Sequence, residues 1–363
     1  MCADMLGPST DQQEASFITH GVTLTGGVPS YGPIRWGGPA PEFVARVELA
    51  GLCRSDLREA LGERAVRSDF GHELILRVLR APGESSLQVG DRVVYDPHIE
   101  IERTSGFAEM LFARGSPEAL KKAFLRVPEA MPDEIALFCE PMACAVHAAR
   151  ALQRHYRPSN GQATARAVAF TAAGLASVLQ AKILQAEGVA VTLYNRTWPR
   201  IEALRRSAVI ETIDSSLLAA AVSDSFDAVV TSGAYSDAAS LEVAFRIVRP
   251  GGLVLLFGGT HPGECTFGLL DTDGIRKSER LQSVTISGKV VLVGGTYGAT
   301  TADFADAIDM LHQSANSLCV RNLLDRRVRL SELPSHIREV NSGQRLSYGK
   351  TPVETRPLQN KGV

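Results

Sequence analysis

Long apolar runs are missing from this chain. No stretch approaches the ~18 consecutive apolar residues of a membrane-spanning helix, so the 45% apolar content is divided among short elements. An excess of either charge is missing too. There are 38 Lys and Arg against 40 Asp and Glu, a formal net charge of −2. That balance offers nucleic acid or an anionic membrane little to hold. Lysine is scarce, with seven among the 38 basic residues. Cysteine is sparse and scattered, at Cys2, Cys53, Cys139, Cys144, Cys265 and Cys319. Such a distribution suits reduced thiols rather than a disulfide framework. Met1–Ser16 is polar, carries Asp4, Asp11 and Glu14, and lacks the basic flank and apolar centre of a secretory signal. Internal repeats and low-complexity segments are absent. These absences lead us to expect a cytoplasmic protein whose partners are small molecules.

What is there divides in two. A chain of 363 residues is too long for one small core. From 17 to about 110 it is rich in short strands. Phe43–Leu49 and Leu74–Leu79 alternate with period two, and Gly26-Gly27, Gly37-Gly38-Pro39 and Ala81-Pro82-Gly83 punctuate them. This pattern predicts a small β-barrel. Asp133–Leu152 has helical spacing, with Pro141 set to kink or restart it. Arg157-Pro158-Ser159-Asn160-Gly161 is a linker. Strand and helix then alternate. Strands are expected at Ala167–Thr171, Val189–Tyr194, Ala228–Thr231, Leu253–Gly258 and Val284–Ser287, with a helix at Leu175–Glu187 between the first two. That order predicts a doubly wound parallel sheet. A further helix, Ala302–Leu311, precedes a polar tail.

Three separated segments offer metal-ligand side chains: Cys53-Arg54-Ser55-Asp56, Gly71-His72-Glu73, and Cys139-Glu140-Pro141-Met142-Ala143-Cys144. One thiolate, one imidazole and two carboxylates suit tetrahedral Zn²⁺ with a position left for substrate. Glu140 taken alone would also serve as a helix-capping carboxylate. Cys139 and Cys144 are assigned to the core. His98, His147, His155, His261 and His312 are assigned structural or surface roles.

A dinucleotide signal follows. Ala172, Gly174 and Ser177 stand where Gly-x-Gly-x-x-Gly would place its glycines, between a strand and a helix. Gly174 keeps the position that lets backbone approach pyrophosphate, with Leu175 and Ala176 opening the helix. The next strand ends in Asn195-Arg196-Thr197, with Arg200 a turn later. Asn195 does not repel a 2′-phosphate and Arg196 binds one, so NADP(H) is expected over NAD(H). The alternative for Arg196 is a solvated loop charge. Ser232-Gly233 and Gly258-Gly259 lie at two more strand ends and are expected beside ribose and nicotinamide, unless these glycines serve only as turns.

With these residues in view, the chain resembles the zinc-containing medium-chain dehydrogenases/reductases, in motif style the sorbitol and threonine dehydrogenase branch. The likeness runs from about residue 40 to residue 350. It rests on Gly51–Asp56, Gly71-His72-Glu73, Val89-Gly90-Asp91-Arg92-Val93, Gly106-Phe107-Ala108-Glu109 and Glu140–Ala148. It implies a GroES-like β-barrel catalytic domain (1–153 and 297–363) with a Rossmann domain (154–296) inserted. It implies a homodimer or homotetramer, joined through the last Rossmann strand near Val284–Ser287. The implied reaction moves a hydride between NADP(H) and a secondary alcohol or its ketone: a polyol, cyclitol, sugar or amino alcohol. The ligands implied for one catalytic zinc are Cys53, His72, and Glu73 or Glu140. Zn²⁺ with one thiolate and one carboxylate is neutral, so the two acids are expected to exchange with water. Ser55 is implied as proton relay and Asp56 as a residue orienting a ligand. The chain departs from the pattern in three places. Arg58 replaces the relay His, is always protonated, and is left to contact a cofactor phosphate. Asp96–Thr104 replaces the four-Cys lobe, so no structural zinc is expected. The glycine signature is degraded. Two other readings stay open: a zinc-free quinone or enoyl reductase of the same superfamily, and an inactive cofactor-binding protein.

Overall fold

The computed structural model describes residues 17–63, 70–83, 85–156, 164–267 and 270–355. Met1–Ser16 and the linker at Arg157–Gly161 lie outside the described residues.

The long strand Phe43–Leu52 organises the first half. It pairs antiparallel with Glu73–Arg80, Met110–Arg114 and Thr351–Glu354. Three neighbours are possible because Met110–Arg114 pairs with its start and Thr351–Glu354 with its end, while the pairing with Glu73–Arg80 shifts register twice, between Val44 and Ala45 and between Val47 and Leu49. Such bulges bend a strand and sharpen its twist, which curls the eight-stranded sheet. Its interior is filled by inward-facing residues, with Phe43 stacked on Phe124 at 3.9 Å and Phe70 edge-on to Phe107 at 5.0 Å. The C-terminal Val328–Arg329 and Thr351–Glu354 strands return to complete this sheet.

The second sheet has seven strands in the order Asp214–Leu217, Ala190–Asn195, Ala167–Phe170, Phe226–Thr231, Val248–Leu256, Lys289–Gly295 and Leu281–Ile286. All neighbours are parallel except the last pair. The expected strand near Val284–Ser287 is therefore one arm of a hairpin on the sheet edge. Its partner Lys289–Gly295 escaped the sequence reading because the turn between them is only Ser287-Gly288. Both turn residues have positive φ, 53° and 78°, the conformation that two-residue hairpins require. The strand order reverses beside Ala167–Phe170, and ligands of such sheets bind at that point, beyond the strand ends.

One helix joins the two halves. The expected Asp133–Leu152 helix is two, Asp133–Ala136 and Cys139–His155. The break falls at Leu137-Phe138, ahead of Pro141. Pro141 sits in the first turn of the second helix, where a missing N–H costs nothing. By length and composition Asp133–His155 is the one candidate membrane span among the described residues, and 83% of its apolar window is buried inside the protein. It is a core helix, packed on Leu175–Ala186 and Thr301–Leu318. Its N-terminal turn delivers Glu140 to the space between the sheets.

Candidate active site

Each metal-type side chain leaves a different element. Cys53 ends the Phe43–Leu52 strand and precedes helix Arg54–Ala60. The buried Asp56 carboxylate accepts the Cys53 N–H at 2.8 Å, which fixes the turn that carries the thiol. Gly71 has φ +81°, and a Cβ there would lie 2.7 Å from the Phe107 ring. Only glycine allows this turn, and it aims His72 toward Cys53. Glu73 opens the adjoining strand opposite Gly51, where a Cβ would meet its carboxylate at 2.4 Å. The result is a cluster in which the Cys53, His72 and Glu73 ligand atoms lie within 4.8 Å of one another. It is the one such group among the described residues.

The surroundings orient this cluster. Asp56 is fully buried, and its Oδ1 stands 3.2 Å from His72 Nδ1. Ser55 Oγ lies 3.5 Å from His72 Nε2 on the other side of the ring. Burial opposes charge on His72, but the Asp56 carboxylate and then Cys53 outweigh it, and its pKa stands well above the ordinary value.

Lys350 was missed by the sequence reading. It belongs to the C-terminal return, is 2% exposed, and its Nζ pairs with both Glu73 carboxylate oxygens. Burial disfavours the ammonium, but Glu73, then Cys53 and Glu140, keep its pKa above the ordinary value. No local motif marks this lysine. It sits 277 positions from its partner.

Glu140 faces the same space without joining the cluster of three. Its Oε1 accepts the Cys144 thiol at 3.4 Å. Cys144, assigned to the core from sequence, lines the cleft instead. Burial and then Glu140 hold it as a thiol, well above its usual pKa. Cys139 is fully buried as expected, and burial pushes its pKa up to about 12.

A cleft of about 2090 Å³ runs from this cluster to the end of the seven-stranded sheet. Ala172, Gly174, Leu175, Ala176, Asn195, Arg196, Thr197, Arg200, Ser232 and Gly233 all line it. Ser232 Oγ is held by Ala172 N and O at 3.1 and 3.0 Å, so it shapes the turn rather than facing the space freely. Arg200 is also committed: it is buried and donates to Ala173 O at 2.6 Å and to Tyr348 O. Burial brings its pKa down to about 10. Arg196 is exposed at the cleft wall. Gly258 and Gly259 stand behind the lining. A Cβ on Gly258 would meet Gly233 O at 2.9 Å, and one on Gly259 would meet Arg58 Nη1 at 2.6 Å. Arg58 itself lies 4.0 Å over the Tyr235 ring and donates to Ala234 O at 3.4 Å. It thus spans from the barrel side to the sheet side of the cleft. Asp96–Thr104 runs as a short strand and loop whose residues Pro97–Arg103 form the outer wall.

No family profile and no curated protein matches the sequence. Solved structures do match. The butanediol dehydrogenase of Bacillus subtilis aligns at TM-score 0.67 and 16% identity, over 94% of this chain and all of that one. The alcohol dehydrogenase of Thermus sp. ATN1 gives 0.66 and 19%, over 93% and 100%. A Sinorhizobium meliloti protein assigned as a zinc-binding dehydrogenase and bound to NADP gives 0.68 and 19%, over 94% and 100%. The architecture of this chain is accordingly that of the medium-chain alcohol dehydrogenases, a GroES-like barrel with a Rossmann domain. The fold class expected from sequence holds.

Proposed function

We propose that this protein is a zinc-dependent alcohol dehydrogenase that moves a hydride between NADP(H) and a secondary alcohol or its ketone. The observation that carries the reading is a thiol, an imidazole and a carboxylate within 4.8 Å, in the same cleft as the Gly174–Ala176 helix start.

The donor set fits zinc. Asp56 holds His72 by Nδ1 and leaves Nε2 toward the cluster, the arrangement that metal-binding histidines generally adopt. The Lys350 ammonium offsets Glu73, and Zn²⁺ with the Cys53 thiolate, neutral His72 and one of the two acids, Glu73 or Glu140, would be a neutral set. When bound, the ion supplies Lewis acidity and the dinucleotide supplies or accepts the hydride. The chain's own residues do the rest. Ser55, a hydroxyl 3.5 Å from His72 Nε2, holds the substrate proton beside the cluster. Arg58, committed to Tyr235 and Ala234, takes no proton, and water passes it to solvent. The Gly174 turn receives the pyrophosphate at the Leu175–Ala186 helix start. Arg196 receives the 2′-phosphate, which supports NADP(H) over NAD(H). The barrel and Rossmann limits are those given above, and the outer edge of Leu281–Ile286 joins a second copy by strand pairing.

The test is a screen of zinc-loaded protein across polyols, cyclitols, amino alcohols and their ketones with NADP(H) and NAD(H). Zinc-dependent turnover of at least one alcohol, faster with NADP⁺, is expected. Reduction of quinones or enones by metal-free protein would replace the reading.

A further inference from the structure

Away from the Cys53, His72 and Glu73 cluster, helix Cys139–His155 presents three nitrogen-bearing side chains on one face. They are His147, Arg150 and Arg154, spaced three and four residues apart. Three carboxylates from two other elements meet them. His147 Nδ1 lies 2.7 Å from Asp303 Oδ2 and its Nε2 lies 2.5 Å from Glu279 Oε1. Arg150 donates to Asp303 Oδ1 at 2.5 Å and also binds Asp306, while Arg154 donates to Glu279 Oε2 at 2.7 Å. Asp303 and Asp306 begin the Thr301–Leu318 helix. Glu279 sits in the turn before the edge strand Leu281–Ile286, at φ +50°. That conformation is uncommon for a non-glycine residue.

Glu279 has one more partner. Its Oε1 accepts the backbone N–H of Tyr297 at 2.8 Å, and Asp303 Oδ2 accepts the Thr300 N–H at 2.9 Å. The two carboxylates that grip His147 therefore pin both ends of the segment 297–300. Thr296, Tyr297, Gly298 and Ala299 form a wall of the cleft. On the cleft side Gly298 abuts the His98 ring, and Arg276 lies 5.0 Å over the Tyr297 ring. An imidazole with a carboxylate oxygen at each nitrogen satisfies both only when both nitrogens donate.

We propose that His147 is a positioning residue for dinucleotide binding: as a double donor it fixes Glu279 and Asp303, and through them the cleft wall at 296–299. It touches no ligand itself and was assigned a structural or surface role from sequence. The inference rests on the reading that the cleft holds a nicotinamide dinucleotide.

The experiment exploits the two nitrogens. The Gln side-chain amide reaches the place of His Nε2, and the Asn amide that of Nδ1. His147→Gln keeps the donor to Glu279, and His147→Asn keeps the donor to Asp303. The dissociation constant of NADPH is measured by fluorescence for wild type and both variants, with zinc content and melting temperature recorded alongside. The expected result is roughly tenfold weaker binding for His147→Asn, the order of one lost charge-assisted hydrogen bond. His147→Gln loses the hold on Asp303, which pins the Thr300 end, and should weaken binding to a similar degree. The Michaelis constant for dinucleotide rises in parallel while that for alcohol and the zinc content stay put. Glu279→Ala, which cuts the same link from the other side, repeats the loss and serves if His147→Asn does not accumulate. Wild-type affinity in His147→Asn, His147→Gln or Glu279→Ala overturns the inference alone. A wild-type protein that binds neither NADPH nor NADH overturns it together with the reading it rests on.

Discussion

Replacing Lys350 by Met removes one partner of a buried ion pair and leaves the other in place. Glu73 and Lys350 have side-chain exposures of 1% and 3%, so water cannot take over the lost contact. A half-broken buried pair costs about 3–5 kcal/mol, because the surviving charge is neither solvated nor compensated. At about 1.3 °C per kcal/mol for a chain of this length, 3 kcal/mol lowers the melting temperature by roughly 4 °C. The strain should fall on the barrel, where Glu73 pairs with Gly51 and Lys350 leads into Thr351–Glu354. A second change, Glu73→Gln, removes the orphaned charge, so the double variant should recover most of the loss. Zinc should also stabilise Lys350→Met more than wild type, since the freed carboxylate gains a cation. The assay is thermal unfolding of the four proteins of the cycle, metal-free and zinc-loaded. A Lys350→Met protein that melts with wild type, or a double variant no better than the single one, would refute the argument.

Three shorter predictions follow from other contacts. Arg196→Ala should raise the Michaelis constant for NADPH roughly tenfold or more while leaving NADH unchanged, as expected for one charge-assisted contact to phosphate; steady-state kinetics with both cofactors checks it. Asp56→Asn weakens the hold on His72 Nδ1 and should lower zinc affinity about 10–100-fold, read by competition with a chelating dye. Glu279 and Asp303 have folded pKa values below their ordinary 4.5 and 3.8. Burial opposes both shifts, but hydrogen bonds from His147 and Tyr297 to Glu279, and from Thr300, His147 and Arg150 to Asp303, outweigh it. A depressed carboxyl stabilises the fold fully above its unfolded pKa and loses that contribution as pH falls through the folded one. The stability that Glu279 contributes should therefore be lost as pH falls below 4.5, and Glu279→Gln should flatten that part of the curve in a pH titration followed by circular dichroism.

The residues that sequence brought to attention are those whose neighbours in the chain set their geometry. Cys53 and Asp56 share one helical turn, His72 follows a glycine that only a positive φ explains, and Gly174 separates a strand from a helix. These patterns are local, so a one-dimensional reading reaches them. Lys350 could not be found that way, because its partner Glu73 lies across the whole Rossmann half and a single lysine in a tail has no period or motif. The same holds for Glu279, which matters through His147 and the Tyr297 backbone. Arg58 was legible as an unusual residue but not as a strut, since its stacking on Tyr235 joins segments 176 or more positions apart. The edge hairpin was half read: Val284–Ser287 has strand composition, while the Ser287-Gly288 turn that makes it antiparallel is too short to register as a boundary. Pro141 marked a helix start correctly in kind, and the break fell three residues earlier because proline is comfortable in a first turn.

The central claim is a divalent ion held by Cys53 and His72 at the junction of barrel and Rossmann sheet. Metal analysis of protein purified without chelator, for wild type and Cys53→Ser in parallel, tests it most directly. About one zinc per wild-type chain, lost in Cys53→Ser along with alcohol turnover, is the result expected from one catalytic donor set that keeps a position open for substrate. A metal-free wild type, or a Cys53→Ser variant with unchanged zinc and turnover, would contradict it.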